Sequence, residues 1–188
     1  MTISTTSAPQ PAAASAPAAQ PAAPASALSA DEVLRRTLRR HAAGVTVITV
    51  PGPAGFTATS FTSVSLRPPL VAFYLGQSAS TAPAVHAADR FAVHLLGTGN
   101  TDLARQFARS GIDRFDGVAW TRTEDGLPLL DGVPAHLTAR ITLRQQIGDH
   151  LLVVGEVESG SVDQDATALV HHDGAFAAAQ PLPDSASG

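Results

Sequence analysis

The sequence predicts a mainly β protein, an antiparallel barrel or sandwich with short flanking helices. Three observations carry this expectation. About six or seven segments are β-branched, apolar or alternating; only two or three short stretches have helical periodicity; and strands and helices do not alternate as a βαβ fold requires.

Taken in order, Met1 to about Leu28 is almost wholly Ala, Pro, Ser, Thr and Gln, with too little large apolar surface to offset the entropy of ordering it. Residues 1–28 are therefore expected to be a disordered tail, 29–178 one folded domain and 179–188 a flexible C-terminal tail. The first tail lacks the basic start and unbroken apolar core of a secretion signal, so a cytoplasmic location is expected. Ser29-Ala30-Asp31-Glu32 has the spacing of a capping box. Val33, Leu34, Leu38 and His41 then share one helical face, with Gly44 as the stop. Arg35, Arg36, Arg39 and Arg40 lie on the other face, as a solvated surface or an anion-binding patch.

Strand periodicity begins at Val45–Val50, which is β-branched throughout, and Pro51–Gly55 is a turn cluster. The segment from Phe56 to Leu66 is its partner strand, Arg67-Pro68-Pro69 an edge or corner, and Leu70–Leu75 a strand buried on both faces. Ala82–Ala88 reads as a short helix, Phe91–Leu96 as a strand, and Asp102 to about Ser110 as a helix capped by Asn100 or Thr101. Residues 111–134 form a long excursion carrying Phe115 and Trp120, of the length that usually has a function. A hairpin follows, His136–Arg144 and His150–Val157, turning at Ile147-Gly148-Asp149; a last short strand holds Leu169–His172, with a turn at Gly174 and then Phe176.

Composition narrows the chemistry. The formal net charge is −4 and the basic residues are not clustered, which argues against nucleic acid or an anionic membrane as partner. All 12 basic residues are Arg, so a Walker-type phosphate loop, a Schiff-base enzyme and a Ser-Lys dyad are excluded. The count of 0 Cys removes thiol catalysis, disulfides, iron–sulfur clusters and thiolate zinc sites. No apolar run approaches the ~20 residues of a membrane-spanning helix. The seven His lack paired metal-ligand spacing, with adjacent His171 and His172 pointing to opposite faces of a strand. No Gly-x-Ser-x-Gly elbow marks a hydrolase nucleophile. What remains is His, carboxylates, hydroxyls, Arg, or a bound organic cofactor.

Two hydroxyl clusters stand out, Thr57 to Ser65 and Gln77-Ser78-Ala79-Ser80-Thr81. Either they are the solvent face of a strand and a turn, or they wrap one polar ligand. Gly148-Asp149-His150 is likewise open: a hairpin turn whose Asp caps its own backbone, or a pair of side chains reaching over a barrel rim.

From about Glu32 to Phe176 the chain resembles the flavin reductase domain family, short-chain NAD(P)H:flavin oxidoreductases. The resemblance rests on elements in family order: Ala43-Gly44-Val45-Thr46-Val47-Ile48-Thr49, Gly55 to Phe61 with Ser63-Val64-Ser65 and Pro68-Pro69-Leu70, Ser80-Thr81, Phe91-Ala92-Val93, Leu103-Ala104 with Phe107-Ala108, Asp113-Arg114-Phe115, and Gly148-Asp149-His150 with Gly155-Glu156-Val157. It is most similar to reductase components of two-component aromatic monooxygenases, including those of actinomycete polyketide pathways.

That resemblance implies a six-stranded antiparallel Greek-key split barrel, the FMN-binding split barrel, as a homodimer. It implies FMN, or FAD, as the flavin and NADH, or NADPH, as the hydride donor, with NADH preferred because no Arg cluster lies near Gly148–His150. By position, Thr59, Ser60, Phe61, Thr62 and Ser63 would line the flavin ring and ribityl chain, and Gln77, Ser78, Ser80 and Thr81 would hold the phosphate. His150 would be the catalytic, nicotinamide-side residue with Asp149 orienting it, and His172 would border the same site. Many relatives carry a basic residue near position 77, so Gln77 implies a phosphate grip weaker by on the order of 1 kcal/mol. The implied role is to pass reduced flavin to a transient partner, a flavin-dependent monooxygenase. Two alternatives are an enzyme that keeps its flavin and oxygenates a small aromatic substrate, and a flavin carrier without reductase activity.

Overall fold

The computed structural model describes residues 28–163 and 165–182, so the two expected tails lie outside it except for Leu28 and residues 179–182. Helix α1 (Ala30–Leu38) starts where the capping spacing indicates, with the Ser29 amide donating to the Glu32 carboxylate at 3.1 Å. It ends before the expected stop, because Gly44 belongs instead to a two-residue strand, β1 (Ala43–Gly44). Val33, Leu34 and Leu38 of this helix are exposed. Arg39, just past the helix end, donates from Nε to the Asp173 carboxylate at 3.1 Å and anchors α1 to the far end of the chain.

The main sheet has seven strands, one more than expected. Its order is β3 (Ala54–Ala58), β2 (Thr46–Val50), β6 (Arg90–Leu95), β9 (Ala135–Ile147), β10 (His150–Val162), β5 (Pro69–Gly76) and β4 (Thr62–Leu66), every neighbouring pair antiparallel. The extra strand arises because Phe56–Leu66, read as one strand, breaks at Thr59-Ser60-Phe61 and its halves join opposite edges of the sheet. The link from Ala58 to Thr62 reaches at most about 14 Å. A flat sheet would hold these edge strands about 29 Å apart, so the sheet must curl until its edges meet. The chain itself, rather than a hydrogen-bond ladder, closes the ring.

Strand β2 is buried at every position, which accounts for its unbroken β-branched sequence. Ile48 and Val50 face the barrel interior with Phe56, Phe73, Phe91 and Val153, while Val45 and Val47 face a second cluster with Ala104 and Phe107. Phe73 and Phe91 meet edge to face, centroids 5.0 Å apart, at the centre of the first cluster. The second cluster lies under α3 (Thr101–Ala108). Helix α2 (Ala82–Ala87) adds Ala82 and Val85 to the first.

At Gly155 the β9–β10 register shifts, and a Cβ placed there would lie 2.7 Å from Phe91 Cζ and 3.0 Å from Ala139 Cβ. Because the obstacle is a fully buried ring, Gly155→Ala is expected to destabilise the fold by about 1–3 kcal/mol, measured as a lower urea midpoint at unchanged slope.

The 111–134 excursion contains a hairpin not anticipated from sequence, β7 (Trp120–Arg122) and β8 (Pro128–Leu130). Two buried side chains fasten β8 to the barrel. The Thr49 hydroxyl donates to the Pro128 carbonyl at 2.6 Å, and His94 Nε2 accepts the Leu130 amide at 3.0 Å. His94 Nδ1 lies 3.1 Å from the Val47 carbonyl, so the ring is the neutral tautomer with its proton on Nδ1. The expected terminal strand is present as β11 (Leu169–His172), which pairs with β1 and with β12 (Ala175–Ala178) through a turn at Asp173-Gly174.

Candidate functional site

A cavity of about 360 Å³ opens where the two sheet edges meet. That volume is within the range of small-molecule sites. The Thr59-Ser60 part of the closing link forms one side of it, Ser80 and Thr81 another, and His150 stands opposite. The expected residues Thr59, Ser60, Ser80, Thr81 and His150 are thus brought together from three separate parts of the chain.

The hydroxyls play unequal parts. Ser60 Oγ donates to the Tyr74 carbonyl and accepts the Tyr74 amide, both at 3.0 Å, so it bridges the seam to β5 and has little left for a ligand. Thr57, in β3, donates to the Ala104 carbonyl at 2.7 Å and holds α3 in place. Thr81 differs. The residue is 5% exposed and borders the cavity, and its hydroxyl, itself buried, has no hydrogen-bond partner among the described residues. A buried hydroxyl left unpaired costs on the order of 1–3 kcal/mol, so a side-chain rotation that brought the Thr81 hydroxyl to an acceptor in the cavity would recover that cost.

His150 is the first residue of β10, directly across from Gly76. Its Nδ1 lies 2.6 Å from the Asp149 carboxylate, which fixes the ring and leaves Nε2 free on the cavity side. The hydrogen bond to His150 also holds the Asp149 carboxyl below its ordinary pKa. Gly148 adopts φ of 58°, the left-handed turn conformation that suits Gly. Gly148-Asp149-His150 is therefore a tight turn that presents a rim histidine, with the Asp149 side chain bonded to His150 and outside the cavity wall.

The other expected residues lie outside the cavity wall. Phe61 packs on the barrel core, and Thr62 and Ser63 leave with β4 along the opposite sheet edge. Gln77 and Ser78 are exposed in the turn after β5, where the Gln77 amide donates to the Asp149 carbonyl at 3.0 Å. His172 sits at the end of β11 beside Asp173, on the side tethered to α1.

Arg114 and three aromatic residues, Phe56, Tyr74 and Phe107, line the cavity without having been singled out from sequence. Arg114 donates to the carbonyls of Arg109 at 2.6 Å and Gly55 at 3.1 Å, and to Ser80 Oγ at 3.3 Å. It forms no ion pair with a carboxylate among the described residues. The Asp113-Arg114-Phe115 triplet and the unusual length of the excursion were the signals that could have identified it. Its guanidinium is a fixed cation without a carboxylate partner among the described residues and touches the Ser80 hydroxyl, a donor set that a phosphate monoester or diester takes.

Residues 38–180 match the flavin reductase like domain. The chain is 42% identical over 156 residues to the NADH:FMN oxidoreductase of Rhodococcus qingshengii, covering 79% of this chain and 81% of that protein. Two solved structures share the architecture. The NADH:FAD oxidoreductase of Streptomyces globisporus, in complex with NAD and FAD fragments, aligns with a TM-score of 0.74 at 38% identity over 84% of this chain and 96% of that one. BorF, the flavin reductase component of a bacterial two-component tryptophan halogenase, aligns with a TM-score of 0.73 at 33% identity over 82% and 99%. Matched over residues 38–180, most of its folded length, this chain belongs to the flavin reductase like domain family.

Proposed function

We propose that the protein is an NADH:flavin oxidoreductase that reduces FMN and releases it to a separate flavin-dependent monooxygenase. The observation that carries this reading is the pairing, in one cavity, of the Arg114 cation and the Ser80 hydroxyl it touches with His150 on the facing rim. The relatives named above are NADH oxidoreductases of FMN or FAD, and BorF is the reductase component of a two-component halogenase.

When bound, the flavin supplies a ring that takes a hydride from the nicotinamide. The protein's own residues position and hold. Arg114 and Ser80, with Thr81 after a side-chain rotation, would grip the phosphate, and Thr59 with Tyr74 and Phe56 would border the ring. His150, oriented by Asp149, offers Nε2 to the nicotinamide side. No nucleophile, metal or general base is required, which suits a chain without Cys or Lys. The positive charge that Gln77 lacks is provided from another element by Arg114. The curled sheet is read as the split barrel, with β4 as the strand added by the break at Thr59–Phe61. A homodimer completes the reading, supported by the exposed Val33, Leu34 and Leu38 of α1. No helix among the described residues is long and apolar enough to cross a membrane.

The test is oxidation of NADH by the purified protein with and without added FMN. Oxidation that does not exceed the flavin-free control sinks the proposal. His150→Ala separates reductase from carrier: a single lost hydrogen bond is expected to lower kcat/KM for NADH about tenfold with FMN affinity unchanged.

A further inference from the structure

One short piece of chain touches both ends of the cavity, bordering it at Gly76, Ala79, Ser80 and Thr81. At its start Gly76 pairs with His150 across β5 and β10, and the His150 ring lies beside it: a Cβ placed at Gly76 would stand 3.9 Å from Nε2. The next backbone amide, that of Gln77, donates to the Asp149 carbonyl at 3.0 Å. Asp149 in turn holds His150 Nδ1, so the start of this segment fixes where the rim histidine stands.

The far end is held less firmly. Arg114 donates to Ser80 Oγ at 3.3 Å, a longer contact than those it makes with the Arg109 and Gly55 carbonyls. Between the ends there is little slack. The Ala79 amide returns to the Gly76 carbonyl at 3.0 Å and the Ala82 amide to the Ala79 carbonyl at 2.9 Å, two turns in direct succession. Ala79 also packs on the barrel core, whereas Gln77 and Ser78 are exposed.

We propose that residues 76–80 couple the phosphate end of the site to the nicotinamide end, so that NADH meets a correctly set His150 only when the flavin carries its phosphate. This rests on the function proposed above and extends it. An anion bridging Arg114 and Ser80 replaces one long contact with two charge-assisted ones, and orders the far end of a segment whose near end positions Asp149 and His150. Binding at either end then favours binding at the other. Charge repulsion acts the opposite way, since a flavin phosphate disfavours the anionic NADH, so the sign of the effect separates the two.

The test compares FMN with riboflavin, which has the same ring and no phosphate, each at saturation. For the unaltered protein the KM for NADH is expected to be about tenfold lower with FMN. The double variant Gln77→Gly, Ser78→Gly gives two exposed positions more backbone freedom without changing a cavity side chain, and there the two KM values are expected to agree within about twofold. A thermal midpoint confirms that it folds. Hydrogen exchange of the Gln77 amide in the unaltered protein, read by NMR without NADH, needs no variant: FMN is expected to slow it at least about tenfold more than riboflavin does. Equal KM values with the two flavins, a lower value with riboflavin, a difference that survives in the folded double variant, or equal Gln77 exchange overturns the inference while leaving the reductase reading intact. No oxidation of NADH with either flavin sinks both.

Discussion

Arg114→Ala is expected to weaken FMN binding about 100-fold and riboflavin binding by less than about threefold. The guanidinium at the cavity has backbone carbonyls and Ser80 as partners but no carboxylate among the described residues, so its charge is available to an anion. A hydrogen bond to a charged group contributes about 1.5–3 kcal/mol, and removing a bidentate donor lies at the upper end. Riboflavin has the same ring without the phosphate, so it reports any collapse of the loop that Arg114 ties to Gly55 and Arg109. Titration of both flavins by fluorescence quenching decides the matter. Parallel loss of the two affinities would assign Arg114 to loop structure instead of phosphate binding. Arg114→Lys is expected to recover only part of the affinity, since an ammonium keeps the charge but cannot reproduce the planar set of contacts.

The second large effect concerns acid. His94 is fully buried and neutral, and burial, with a smaller contribution from neighbouring His136, lowers its pKa to about 4. In the unfolded chain the ordinary value is about 6.5. Between these values the unfolded state binds more protons, so stability is fully present above about pH 6.5 and is lost as pH falls toward about 4. The interval corresponds to about 3 kcal/mol at 1.36 kcal/mol per unit. Urea titrations followed by the fluorescence of the single tryptophan, Trp120, at pH 7 and pH 4 measure it. His94→Gln retains a donor and an acceptor toward Val47 and Leu130 but does not titrate, and is expected to be less stable at pH 7 with a flatter pH dependence. An unchanged acid slope in that variant would place the loss elsewhere.

Much of this was legible in the sequence, and the exceptions have physical causes. Val45–Val50, Leu70–Leu75 and the hairpin around Gly148 were readable because period, length and turn chemistry agree there. The break at Thr59–Phe61 was not, since residues with strand propensity on both sides hide a change of partner strand. Thr and Ser residues showed where a polar site could lie but not how each hydroxyl is used. Ser60 and Thr57 turn out to fasten backbone, whereas the Thr81 hydroxyl is buried without a partner among the described residues. Arg114 escaped notice because its position depends on an excursion pinned by Thr49 and His94, contacts separated by 79 and 36 residues along the chain.

The link Thr59-Ser60-Phe61 also bears on how a ligand enters and leaves. Around a fully laddered barrel, any dilation must break a row of backbone hydrogen bonds. Here the perimeter is sewn at one place by a short run of chain and the Ser60 hydroxyl's two contacts with Tyr74, and the cavity lies on that stitch. That arc has fewer backbone hydrogen bonds to break than any laddered one, and Phe56 packed on Phe73, centroids 5.8 Å apart, joins the link in holding it shut. If the proposed release of reduced flavin is correct, the product leaves at the arc where opening disturbs the fewest backbone hydrogen bonds.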